Sequence, residues 1–120
     1  MIDVTTMSDD RMLQLVGSAR PYTVCTLRPG PQWGVGDWEK TIWEHGRRNL
    51  AMREQGLLVV TLRTESEDVV GIGVYDRDLD TTRELLEDDP AIRAGVLLHD
   101  LCPAQGFPGD ALPEPETIEA

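Results

Sequence analysis

The sequence predicts an α+β domain built on an antiparallel sheet, and three observations point there. Four short runs are rich in β-branched and apolar residues, at 22–28, 57–62, 69–75 and 95–102. One long amphipathic helical stretch lies between the first two runs, and a shorter one lies between the last two. No part of the pattern suggests a second core, and 120 residues is the usual size of one compact domain.

In chain order, Ser8 precedes Asp9, Asp10 and then Met12, Leu13, Leu15 and Val16, which predicts a capped helical turn closing near Gly17. Residues 1–20 read as an N-terminal extension to a domain of residues 21–103. Residues 22–28 (YTVCTLR) form the first strand, which leaves into a loop at Pro29-Gly30-Pro31. Asp37 then stands as an N-cap for a long helix ending before Gly56. At about 100° per residue, Trp38, Ile42, His45, Asn49 and Met52 fall along one stripe, with Trp43, Gly46 and Leu50 on its flank. Glu44, Arg47, Arg48 and Gln55 are read as pointing away. The stripe should face the sheet, which sets His45 and Asn49 one turn apart where polarity is most costly.

Residues 57–62 (LLVVTL) read as the second strand, and 64–68 as a polar connection to the third, 69–75. There Val70, Ile72 and Val74 share one face, while Gly71 and Gly73 leave space beside the backbone on the other. Asp80 or Thr81 is expected to cap a short helix, because Thr81 and Glu84 have capping-box spacing, and Leu85 and Leu86 supply its core contacts before Pro90. Residues 95–102 are the fourth strand, followed at 104–120 by an acidic, proline-rich tail expected to be extended or partly disordered. The order β-α-β-β-α-β is that of a ferredoxin-like subunit with both helices on one face of an antiparallel sheet. Strands two and four are apolar on both faces, so a second copy is expected to cover the open face about a twofold axis, making a homodimer.

Composition narrows the function classes. The formal net charge of −11, from 22 acidic and 11 basic residues, repels a phosphate backbone, so neither nucleic acid nor an anionic membrane is an expected partner. Hydrophobic residues make up 40% of the chain, and at this length roughly two-thirds of the unfolded surface can be buried without a disulfide or structural metal. Cys25 and Cys102 lie in apolar strand-like runs and are read as buried free thiols in a reducing, cytoplasmic setting. Residues 1–11 carry three aspartates and no basic stretch leading into an apolar core, so no signal peptide is expected. The longest apolar run, 56–62, is too short to span a bilayer.

Several pieces stand in a recognisable order: Leu27-Arg28-Pro29-Gly30-Pro31 after the first strand, Trp43-Glu44-His45 in the long helix, and Gly56 beyond it. Further on come Asp88-Asp89-Pro90-Ala91-Ile92-Arg93-Ala94-Gly95-Val96 before the last strand, and Pro103 at its end. From residue 22 to 103 the chain resembles the YCII-related (YciI-like) family. The resemblance implies a dimeric α+β barrel in which His45 and Asp89 form the active-site pair. It also implies cofactor-free chemistry on small cyclic molecules. One enzyme of similar sequence removes chloride from a chlorinated hydroxyhydroquinone, and the wider fold hosts muconolactone isomerases and small aromatic monooxygenases. Two departures stand out. Leu62-Arg63 replaces a Gly-Pro after the second strand, and Ala104 replaces an aromatic residue after the last proline, both where the pocket rim is expected.

With that pairing, His45 would remove or return a proton and Asp89 would fix its tautomer. No serine or cysteine is evidently placed as a nucleophile, which favours proton transfer over covalent catalysis. The competing reading makes His45 a hydrogen-bonded core residue and Asp89 the end of a helix before Pro90. Asn49 reads either as a contact for a substrate carbonyl or hydroxyl, or as a partner of His45 or a nearby carbonyl. Arg28 could bind an acidic or phenolate substrate or be a solvated charge. Trp33, Trp38 and Trp43 cluster around one loop and helix and could line a pocket, with Trp38 as core and Trp33 as a lid. His99 and Asp100 alternate to opposite faces, so no metal site is expected, and Gly71-x-Gly73 lacks the rest of a dinucleotide fingerprint and reads as a packing feature; that no cofactor is expected is what the resemblance implies. Taken with the His45–Asp89 pair, the resemblance implies a cofactor-independent lyase or isomerase acting on a small cyclic or phenolic metabolite. The alternative is a non-catalytic dimeric ligand-binding or pathway-accessory protein, and the tail could dock on another protein or across the dimer.

Overall fold

Side-chain alternation along the strands decides which face of the sheet is buried. In a computed structural model that describes residues 1–115, strand β1 (Arg20–Pro29) buries Thr23, Cys25 and Leu27 and leaves Tyr22, Val24 and Thr26 half-buried on the other face. The last part of the tail, residues 116–120, lies outside the described residues. Strand β2 (Leu58–Arg63) and strand β3 (Gly71–Tyr75) form an antiparallel pair, and β3 also pairs antiparallel with β1, with Cys25 opposite Gly73 and Leu27 opposite Gly71. With strand β4 (Leu97–Gly106) the sheet is four-stranded and antiparallel, in the order β2-β3-β1-β4, which is compatible with a ferredoxin-like arrangement.

The long helix α2 (Trp38–Glu54) stops where the sequence places a glycine. Gly56 has φ +75°, a conformation costly for any residue with a Cβ, and the Leu57 N–H donates to the Met52 carbonyl across the end. Its start differs from expectation. Asp37 occupies the N-cap position with φ −83° and ψ 32°, and its side chain makes no capping bond. A capping carboxylate needs an extended backbone to reach back to the first free N–H groups, and Asp37 lacks it.

Helix α3 (Leu79–Glu87) is capped by Asp78 rather than by Asp80 or Thr81. Asp78 is extended, with ψ 172°, and its Oδ1 accepts from Thr81 N at 2.8 Å. A further short helix, α4 (Pro90–Arg93), was not expected. Pro90 ends α3 and begins α4, because a missing N–H and fixed φ are tolerated in a first turn, and Asp89 is its N-cap.

The buried core joins Cys25, Leu27, Leu58, Tyr75 and Leu97 of the sheet to Met52 of α2, Leu86 of α3 and Ala91 of α4. Trp38 and Ile42 pack against it, as their places on the α2 stripe require. Buried Thr23 is satisfied by donating to the Arg77 carbonyl at 2.8 Å. The loop after β1 lies against the start of β4, with Gly30 N donating to Val96 O at 2.8 Å and Gln32 N to Gly95 O at 2.9 Å. A Cβ on Gly30 would collide with the Gly95 carbonyl oxygen, so the approach requires glycine.

Two further expectations need correction. The last strand continues through Pro103 to Gly106, which an edge strand tolerates because a proline there need not donate to a neighbour. Cys102, read as buried, is exposed on that edge, whereas Cys25 is buried in the central strand.

The chain divides into two compact units, one of Pro21–Ala104 and one of Met1–Arg20 with Gln105–Ala120. In the latter, helix α1 (Asp9–Val16) is capped by Ser8, whose Oγ accepts from Arg11 N, and buries none of its residues. Among the described residues no helix is long and apolar enough to cross a membrane.

Candidate active site

The polar residues on the inward stripe of α2 do not sit alone. His45 Nδ1 lies 2.7 Å from Asp89 Oδ2, with 11% of the histidine side chain and 1% of the aspartate side chain exposed. Asp89 reaches this point because it caps α4. Its Oδ1 accepts from Ala91 N at 2.8 Å and Ile92 N at 3.3 Å, which leaves Oδ2 for the imidazole.

Burial pushes the Asp89 carboxyl up. The hydrogen bond and charge of His45 and the two backbone donors outweigh it, so the carboxyl lies below its ordinary value of 3.8. An ionised carboxylate only accepts, so the proton between the two residues belongs to Nδ1. In a neutral ring Nε2 then carries the free lone pair. Asn49 Nδ2, 3.2 Å away and one turn along α2, is placed to donate to it. The Asn49 amide oxygen is buried without a hydrogen-bond partner.

His45 and Asn49 line a cavity of about 960 Å³ between α2 and the inner face of the sheet, whereas Asp89 lies behind the wall. Gly71 and Gly73 form part of its floor. A Cβ on Gly73 would come within 3.1 Å of Leu58 Cδ1 and 3.2 Å of the Tyr75 ring, and one on Gly71 within 3.3 Å of Leu27 Cδ1, so the space expected beside these glycines is taken up by core side chains that close over the backbone. Leu27, Trp38, Ile42, Leu58 and Leu97 make the lining largely apolar.

Trp33 also lines it and packs on Trp38, with ring centroids 4.6 Å apart at 46°. Trp43 stands at the margin, 70% exposed. Arg28 is not brought to this site. Alternation along β1 turns it away from Leu27, and its Nε pairs with Asp100 Oδ2 at 2.7 Å in the open.

Three residues near the pair were not singled out from the sequence. Cys25 and Tyr75 line the cavity from β1 and β3. Burial pushes the Cys25 thiol up to about 12, with the Asp100 and Asp89 charges adding to the effect. Burial also raises the Tyr75 hydroxyl, with Cys25 and Asp89 adding and Arg48 opposing. Strand alternation was the available signal for both. Arg48, read as pointing away, turns its Nη1 to within 3.9 Å of Asp89 Oδ2 with 23% of its side chain exposed. Its spacing of three from His45 was the signal, since residues so related are neighbours on a helix.

No family model and no curated protein matches the chain. A histidine anchored at Nδ1 by a carboxylate can take a proton at Nε2, and the carboxylate stabilises the imidazolium that results. The Cys25 thiol stays protonated at neutral pH and is a poor nucleophile. Among the described residues no group of three or more His, Cys, Asp or Glu side chains is placed to hold a metal ion.

Proposed function

We propose that the chain is a cofactor-independent lyase or isomerase of the YciI-like type, in which His45 moves a proton on a small cyclic or phenolic metabolite and Asp89 holds its ring. The observation that carries this reading is the 2.7 Å contact between a buried carboxylate and an imidazole in the cavity wall. The apolar lining favours a compact, mainly uncharged ring, and the tryptophans at one side suit its flat faces. The strand order supports a ferredoxin-like subunit. The partly exposed apolar residues on the outer face of the sheet support a homodimer, and two free thiols suit a cytoplasmic setting.

Solvent deuterium incorporation tests the reading directly. A panel of small lactones, enols and phenols incubated with the protein in D2O should include one whose carbon-bound hydrogen exchanges, as followed by proton NMR. His45→Ala should slow that exchange by about 10²- to 10⁴-fold while remaining folded. Full exchange in that variant would remove His45 from the mechanism.

A second reading, a non-catalytic ligand-binding or pathway-accessory protein, is favoured by one contact. The lone pair of Nε2 faces the Asn49 amide nitrogen at 3.2 Å, so the basic nitrogen already has a partner. Tight binding of a panel member with no exchange is the result this reading expects.

A further inference from the structure

Arg48 lies three positions after His45 on α2, and both reach toward Asp89. The Oδ2 atom that accepts from His45 Nδ1 at 2.7 Å is also 3.9 Å from Arg48 Nη1. That second distance is too long for a hydrogen bond, and Nη1 is buried with no other hydrogen-bond partner. A buried guanidinium nitrogen left without an acceptor costs stability, of order 1–3 kcal/mol. What the position supplies in return is a positive charge beside a buried carboxylate.

We infer that Arg48 is a positioning residue for the proton-transfer pair: its charge balances Asp89 and so holds His45 in the neutral, proton-accepting form. The inference rests on the proposed role of His45 as a base. The other titratable groups facing this region are Cys25 from β1 and Tyr75 from β3, both kept neutral by burial. Arg93 of α4 is exposed and pairs with Asp88, and Arg47 of α2 is exposed and pairs with Glu44. At the cavity margin stand Glu39 and Arg47 of α2 and Arg63, Glu65 and Glu67 of the β2–β3 segment, three acids to two bases.

The cluster of buried Asp89 and His45 with half-buried Arg48 is therefore neutral when the imidazole is neutral, and acquires a net positive charge when it is protonated. Without Arg48 the order reverses. The lone Asp89 charge would then be neutralised by a proton on His45, and a low-dielectric setting rewards that strongly. A histidine already carrying a proton cannot act as a base.

Nitrogen NMR of protein labelled in its histidine rings, at neutral pH and without any ligand, reads the state directly. In the natural chain His45 should show a protonated Nδ1 and a bare Nε2. Arg48→Met should move the ring toward imidazolium by roughly tenfold or more in population ratio. Arg48→Lys, which keeps the charge, should retain the neutral signature, as should Arg47→Met, which removes an exposed charge already paired with Glu44. If Arg48→Met does not fold, Arg48→Gln keeps much of the stem and carries the same readout.

An unchanged ring in the charge-removing variant overturns the inference, as does an imidazolium in the natural chain. Neither measurement requires turnover. A ring that shifts as expected in a protein that exchanges no substrate would leave the charge balance standing and the enzyme reading fallen. Exchange with an unmoved ring would do the opposite.

Discussion

Asp89 has only 1% of its side chain exposed, yet it remains ionised because donors surround both oxygens: His45 on one, and the Ala91 and Ile92 amides on the other. Its folded value is lowered relative to the ordinary 3.8, so it contributes stability that is present above that pH and is lost as pH falls through the folded value. Asp89→Asn keeps a capping oxygen but removes the charge that His45 and Arg48 face. We expect it to destabilise the fold by about 3–5 kcal/mol at neutral pH. Urea unfolding should show the gap between the two proteins narrowing below about pH 4, and a gap independent of pH would refute the assignment. The places of His45 and Asn49 on the inward stripe could be read from helical spacing alone. That Asp89 meets His45 could not, because 44 positions separate them. The pairing was expected only through the family resemblance. Arg48 was misread because a long side chain on the flank of a stripe can turn inward or outward, and what lies beside it decides which.

Helix ends show the same division at the scale of elements. Strongly periodic segments were legible: the inward stripe of α2 and the alternation of β3, with its two glycines on one face, follow from residue spacing. Caps were less so, because several acids often stand near a helix start and backbone angles choose among them. Asp78, extended and bonded to Thr81 N, caps α3, so Asp78→Ala should cost about 1 kcal/mol. Glu84→Ala, which the capping-box spacing made the critical substitution, should stay within about 0.5 kcal/mol of the natural chain. Thermal unfolding of the two variants distinguishes the caps. Helix α4 escaped notice because Pro90 reads first as a stop, and four residues carry no period. It matters to the site nonetheless, since the capping bonds of this one turn orient Asp89.

For the molecule as a whole, the sheet has one face under the helices and another on which Val24, Val60, Ile72 and Val74 are half-buried, with Leu62 and Leu98 42% and 39% exposed. Exposed leucines on a sheet face favour burial against a second copy. Analytical ultracentrifugation should therefore give the mass of two chains at micromolar concentration, with Leu62→Asp/Leu98→Asp giving one chain of unchanged helix content. A monomeric natural chain at high micromolar concentration would refute the dimer. The amino-acid order by itself determined the α+β class, the antiparallel sheet and the inward side of α2, because each is a local repeat of 2 or 3.6 residues written directly into the chain. Only the tertiary structure decided that Arg48 turns inward, that Cys102 lies open on an edge, and that a cavity remains between α2 and the glycine floor. Those depend on how surfaces far apart in the chain meet, and no local period records the space they leave.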